Sequence, residues 1–288
     1  MVSTHQACAR KYMLRIVQGW TSRRKSAALG FGSAIHLGLA DWYRSGGVLH
    51  SALAAIRTGW PADSPIDDYR DLNKCLTVME EYSRQYPTEN FVPVGFPDVP
   101  MIEIPFSLPL VTADGEPVLT DEGTPIEYGG IFDGLVDFSG QVFVLEHKST
   151  SQLGDYYFDQ FKPNNQVTGY IWAGRQLSGK RVTGAIINAI GVYRKGETRF
   201  RRHITMRSDA EIAEWIKNIQ ASASEIEWHE KRGYWPMRTV NCTMYGKCEF
   251  HNVDILQHEH ERQRRLETDY IVEKWDYERR DETAVGSD

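Results

Sequence analysis

No apolar run in this chain approaches the roughly 20 residues that a membrane span needs; the longest, around Gly184–Tyr193, reaches half of that. Cysteine is scarce, four in 288 residues, which excludes a disulfide scaffold and sets a reducing, cytoplasmic setting as the expectation, the host cytoplasm if the protein is viral. With 24 glycines and 12 prolines the chain is too poor in both for a collagen-like or low-complexity protein. Its 41% hydrophobic content exceeds what a disordered chain carries. Arg10, Lys11 and Arg15 interrupt the only mildly apolar stretch near the start, so no signal peptide is read. No internal repeat is present.

What remains is the profile of a folded chain of one large domain or two small ones. Lys+Arg number 33 and Asp+Glu 39, a formal charge of -6. All of that excess lies in residues 249–288, which hold 12 acids and 6 bases. The first 248 residues therefore balance, and within them Arg10, Lys11, Arg15, Arg23, Arg24 and Lys25, and again Arg194, Lys195, Arg199, Arg201 and Arg202, form basic runs suited to phosphate contacts. Any one such run is as readily a solvated face.

Periodicity predicts helices over about Ser33–Arg44, Leu49–Ile56, Asp67–Tyr86, Asn164–Leu177 and Ser208–Glu230, with Gly30 and Gly32 breaking the chain before the first. Strands are expected over Met101–Val111, Tyr128–Phe138, Gln141–Ser149, Gly184–Tyr193 and Phe200–Thr205. The sum is α/β, a strand-rich centre bracketed by helices. One domain is assigned to 1–250, and 251–288 to an acidic helical tail that reads equally as a helix for a protein partner, a DNA mimic or a solubilising sequence.

The chemistry concentrates in Tyr128–Thr150. Ser139-Gly140 is a two-residue turn between apolar runs, hence a tight hairpin. If Phe138 faces Gln141, Asp133 sits opposite Glu146, two carboxylates about 4.5–5.5 Å apart at Cβ. They repel unless a cation lies between them. Lys148 shares the face of Glu146, while His147 points away and offers its carbonyl. Such a set binds Mg²⁺ or Mn²⁺ and hydrolyses phosphate esters; a solvated strand end is the plain alternative. Asp137, on the same face as Asp133, reads as a ligand of a second metal or, near the turn, as a solvated carboxylate; Glu103 is a further candidate for the same site whose side alternation does not fix. Cys75 reads as a core thiol.

Gly-Ile-Phe-Asp133 followed by Glu146-His-Lys148-Ser-Thr resembles the core of the PD-(D/E)XK nuclease superfamily, in particular its RecB-like and phage-exonuclease branch. Gly32-Ser-Ala-Ile-His36, Gln166-x3-Tyr170 and Cys8-Ala-Arg-Lys-Tyr12 resemble further motifs of that branch, in its order, over about residues 8–250. The resemblance implies a restriction-endonuclease-like core, a central mixed sheet flanked by helices. It implies Asp133, Glu146 and Lys148 as catalytic residues, His36, Asp133, Glu146 and the His147 carbonyl as metal ligands, and Gln166 and Tyr170 as substrate contacts, the tyrosine ring stacking on a base. The activity implied is a DNA exonuclease in recombination or end processing, on single strands or duplex ends. Cluster-bearing relatives hold iron–sulfur through one early and three late cysteines. Cys8, Cys242 and Cys248 match three of these, and Thr239 stands at the fourth, leaving iron–sulfur, a zinc site with His251, or plain packing. Two rival readings are a catalytically silent nucleic-acid-binding or scaffold protein on the same fold and a redox protein centred on the cysteines.

Overall fold

In the computed structural model, which describes residues 2–23, 26–60, 67, 69–244 and 246–274, the chain runs through α1 (Val2–Ala7), α2 (Ala9–Tyr12), a π-helical turn (Met13–Val17), β1 (Trp20–Ser22), α3 (Ala27–Arg44), α4 (Leu49–Gly59), α5 (Leu72–Gln85), β2 (Val92–Pro93), β3 (Ile102–Pro109), β4 (Glu127–Phe138) and β5 (Gln141–Thr150). A 3₁₀ turn (Tyr157–Phe161) precedes α6 (Asn165–Ser178), β6 (Val182–Gly191), β7 (Arg199–Met206) and α7 (Asp209–Arg232); a second (Thr239–Cys242) precedes α8 (His251–Asp254), α9 (Glu259–Asp269) and β8 (Tyr270–Val272). The chain divides into one unit of Ser26–Phe106 and Gly129–Ile212 and another of Met1–Lys25, Ser107–Tyr128 and Ala213–Asp288. Among the described residues no helix is long and apolar enough to cross a membrane.

The first unit is built on a mixed sheet in the order β2-β4-β5-β6-β7, with β3 also pairing with β4. Ser139 and Gly140 take φ of 55° and 80°, the left-handed pair that a two-residue hairpin turn requires. Asp137 closes the turn by accepting the Gly140 N–H at 2.8 Å. The register follows as expected, Phe138 opposite Gln141 through Gly134 opposite Leu145. β5 and β6 run parallel, which needs a crossover, and α6 supplies it. That helix starts where Asn164 accepts the Val167 N–H at 3.0 Å and stops at Gly179, φ 61°, the usual pair of end signals. α5 begins later than its periodicity suggests because Asp71 caps it, accepting the Lys74 N–H at 2.7 Å.

α3 departs most from expectation. It begins at Ala27 and carries Gly30 and Gly32 inside the helix. The reason is proximity: a Cβ on Gly32 would lie 3.3 Å from the Ser149 hydroxyl oxygen, so the missing side chain lets the helix approach β5. Phe31, Ile35, Leu39 and Tyr43 of α3 then pack with Val78, Met79 and Tyr82 of α5 and with Leu145, Ile186 and Ile190 of the sheet. Each large side chain buried this way contributes about 1.5–3 kcal/mol. Cys75 is fully buried among them, and burial pushes its thiol up from the ordinary range.

Gly184 on β6 has the same logic in the sheet. A Cβ there would meet the Thr205 carbonyl oxygen at 2.8 Å and the Met206 sulfur at 2.7 Å. The carbonyl belongs to the paired strand and cannot swing away. Gly184→Ala is expected to destabilise the protein by about 1–3 kcal/mol, read as a lower urea midpoint at unchanged slope.

In the second unit β1 and β8 pair antiparallel, Ser22 opposite Tyr270. Leu14, Phe250, Val253, Leu266 and Tyr270 form a small core. After residue 250 the chain forms α8, α9 and β8, and Val253, Leu266 and Tyr270 of these elements belong to that core; residues 275–288 of the expected tail lie outside the described residues.

Candidate active site

The first carboxylate is set by the hairpin. Asp133 on β4 is buried, and its two oxygens have different partners. Oδ1 lies 3.1 Å from His36 Nδ1; Oδ2 accepts the backbone N–H of His147 at 2.5 Å. His36 is buried on α3, delivered there by the same close approach that Gly32 permits. Glu103 on β3 completes the group. One ligand atom from each of His36, Glu103 and Asp133 lies within 4.8 Å of the others. A nitrogen and two carboxylate oxygens make a donor set that suits a divalent cation.

Glu103 is the member that the sequence left undecided. Its φ is 53°, a left-handed conformation that costs a non-glycine residue roughly 1–3 kcal/mol. The twist breaks the in–out alternation of β3, which is why alternation could not assign its side. Glu146 is not a member of that tight group. It is buried on β5, with Oε1 3.0 Å from Lys148 Nζ.

From Glu146 a polar line leads to α6. Lys148 Nζ donates to Gln166 Oε1 at 3.0 Å, and Gln166 Nε2 donates to the Tyr170 hydroxyl at 3.3 Å. The i, i+4 spacing of Gln166 and Tyr170 does place them together. The Tyr170 ring, 8% exposed, lies edge-on to Phe106 and Phe132, with centroids 5.9 and 6.1 Å away. Its hydroxyl, rather than its faces, is therefore what it offers to the line.

His147 points away from this face, as strand alternation requires. Its ring is buried, stacked on Tyr43 at 5.6 Å and 4°, with Nδ1 2.9 Å from Asn188 Nδ2. Two arginines of the basic runs are also turned inward. Arg15 is buried and donates to Thr21 Oγ1 at 2.6 Å; Arg202 is bound to Glu89 through two bonds of 2.6 and 2.8 Å. Both are held by internal partners, and nothing in the pattern of basic residues distinguishes them from surface ones. Asp137 serves the hairpin turn.

The three remaining thiols belong to the other unit. Cys8, buried at the start of α2, accepts the Arg238 N–H at 3.4 Å. Cys242 ends the second 3₁₀ turn, and its carbonyl accepts the Cys248 N–H at 2.9 Å. Burial, the Cys8 thiol and Asp254 raise the Cys242 thiol; burial foremost raises that of Cys248. Three sulfurs are one short of the four thiolates that normally hold an iron–sulfur cluster, and Thr239, in the remaining position, has none to add. As they stand these residues do not fit a four-thiolate cluster.

No curated protein matches the chain by sequence. Among solved structures, one of a Eubacterium rectale protein named as a putative exonuclease is similar over 90% of this chain and 88% of its own, with 14% identity and a TM-score of 0.50; this likeness concerns the fold. A structure of a protein designated SSO0001 overlaps 67% of this chain and 74% of its own at 12% identity and a TM-score of 0.29, too low to carry any argument. The sequence profile of a nuclease superfamily, by contrast, spans residues 1–253. With a match over that much of its length, the chain belongs to the PD-(D/E)XK nuclease superfamily.

Proposed function

We propose that the protein is a Mg²⁺- or Mn²⁺-dependent deoxyribonuclease that acts from DNA ends, on single strands or duplex termini, in recombination or end processing. The observation that carries the reading is the convergence of His36 of α3, Glu103 of β3 and Asp133 of β4 within 4.8 Å, β4 being paired with the strand that bears Glu146 and Lys148. His36, Glu103 and Asp133 would hold a divalent cation, with Glu146 and the His147 carbonyl as further ligands, and the bound ion would supply Lewis acidity at the scissile phosphate and a more acidic water. Lys148, between Glu146 and Gln166, presents its ammonium to charge that builds on the phosphoryl oxygens. Gln166 and the Tyr170 hydroxyl orient the strand through hydrogen bonds. Hydrolysis forms a phosphorus–oxygen bond to water and breaks one to the leaving nucleotide, whose oxygen takes up a proton. The Eubacterium rectale neighbour is named as a putative exonuclease, in keeping with end-directed action. No step needs the thiols.

The test uses end-labelled oligonucleotides, single-stranded and duplex, with the 5′ or the 3′ end blocked. Expected is cleavage that requires Mg²⁺ or Mn²⁺, stops on EDTA addition and is prevented by blocking one end. Binding without cleavage under all metal conditions would instead favour the silent scaffold, and cleavage of circular single strands would reject end-directed action.

A further inference from the structure

Behind the site, on the opposite face of the sheet, three polar residues stand in one row. His147 of β5 is the register partner of Asn188 on β6, and Asn188 is the register partner of Arg202 on β7. Asn188 is fully buried, within the apolar run Ala185–Gly191 of β6. A buried amide there costs free energy unless each of its groups is bonded, so its bonds are informative.

Their directions can be worked out from one end. A guanidinium only donates, so the Arg202 Nε contact of 3.2 Å to Asn188 must end on the amide oxygen. That fixes the amide's orientation and turns its Nδ2 toward His147 and Tyr82. Nδ2 donates to the Tyr82 hydroxyl at 3.0 Å, and lies 2.9 Å from His147 Nδ1. An amide nitrogen cannot accept, so Nδ1 of His147 must be the acceptor and the ring proton must sit on Nε2. Tyr82 receives from both Asn188 and Arg202, the latter at 2.8 Å. Its own proton therefore goes to the Tyr43 oxygen at 2.5 Å, and Tyr43 in turn donates to Glu89 at 3.1 Å. Every bond is satisfied in one sense only, and the chain ends on the Glu89 carboxylate that also clamps Arg202. Tyr86 covers the guanidinium from 3.6 Å.

The row grips His147 from behind while its backbone N–H holds Asp133 from in front. Tyr43 stacks on the imidazole and belongs to the same helix, α3, as His36, two turns earlier. The His36 ring itself lies edge-on to that of His147 at 5.8 Å. We infer that Asn188, oriented by the Arg202–Glu89 pair, is a positioning residue of this enzyme: it locks the His147 imidazole in one tautomer and place, and so fixes the strand segment that carries Glu146, the His147 N–H and Lys148 against α3. The inference rests on the proposed metal-dependent function, and acts there through preorganisation of the ion's ligands. Outer partners of metal ligands characteristically change metal affinity by about 10–100-fold when removed.

Asn188→Asp tests this. It keeps an acceptor for Arg202 but replaces the donor to His147 with an oxygen, so the imidazole must move its proton to Nδ1 to pair. In ¹⁵N-labelled full-length protein, long-range imidazole spectra are expected to report Nδ1 of His147 unprotonated in the native chain and protonated in the variant. Calorimetric titration with Mn²⁺ is expected to show binding weakened about tenfold, with cleavage at saturating metal near the native rate. Glu89→Gln, which loosens the clamp without touching Asn188, is expected to weaken Mn²⁺ binding in the same direction and serves if Asn188→Asp does not fold. A native His147 protonated on Nδ1, or two folded variants with native Mn²⁺ affinity, would overturn the inference. A native chain that binds no Mn²⁺ at all would instead count against the proposed metal-dependent function, and take the positioning role with it.

Discussion

Lys148→Ala is expected to lower kcat by about 10²–10³-fold, the range seen when one preorganised donor to a developing oxyanion is removed, while Mn²⁺ still binds. The separation of the two effects comes from the bonds. Lys148 touches Glu146 Oε1 and Gln166 Oε1, each at 3.0 Å, and has no place in the group formed by His36, Glu103 and Asp133. Its removal takes a positive charge from the phosphate's neighbourhood and leaves those three donors as they were. Lys148→Arg is expected to recover little, because a broad planar fork cannot take the place of a compact ammonium between two oxygens. Gln166→Ala should be milder, since Lys148 keeps its charge and Glu146. Equilibrium Mn²⁺ binding alongside single-turnover cleavage separates these outcomes. A Lys148→Ala protein that cleaves at the native rate would remove Lys148 from the mechanism.

Much of this arrangement is legible in the sequence because it depends on short-range rules. A Ser-Gly turn between two apolar runs sets the hairpin register from Phe138 opposite Gln141 to Gly134 opposite Leu145, and strand alternation sends His147 to the face away from Glu146 and Lys148. The spacing of Gln166 and Tyr170 follows from the helical repeat. Less legible is whatever depends on a left-handed backbone or on contacts between distant elements. Glu103 joins His36 and Asp133 only because its φ of 53° turns it out of the strand pattern. The early start of α3 is hidden for a related reason: glycines at 30 and 32 read as breakers, and only the nearness of Ser149 reveals a packing role. Arg202 looks like one more member of a basic run. Its partner Glu89 lies 113 residues away, and no local pattern announces that pairing. Asn188 carried a hint, a lone amide within the apolar run Ala185–Gly191.

The larger effect is expected at the carboxylate on which both sides of the site close. Asp133→Asn should abolish Mn²⁺ binding and lower cleavage by at least about 10³-fold, equivalent to roughly 4 kcal/mol of barrier. Charge is only half of the argument. In the native chain the two oxygens of Asp133 face His36 Nδ1 and the His147 N–H. Asparagine keeps one acceptor and turns a donor toward one of these groups. The buried position then holds opposed donors until the His36 ring moves its proton to Nε2 and accepts, and the forced rearrangement costs about 1 kcal/mol of stability or more, visible as a lower urea midpoint. Glu103→Gln separates charge from this clash. Glu103 is a member of the same ligand group, and glutamine at its half-exposed position leaves the bonds of Asp133 in place. It is therefore expected to weaken Mn²⁺ binding at nearly native stability. If both variants lose metal and activity while only Asp133→Asn loses stability, the ion and the hairpin are held by the same side chain. Cleavage that persists in Asp133→Asn would place the catalytic centre elsewhere in the molecule.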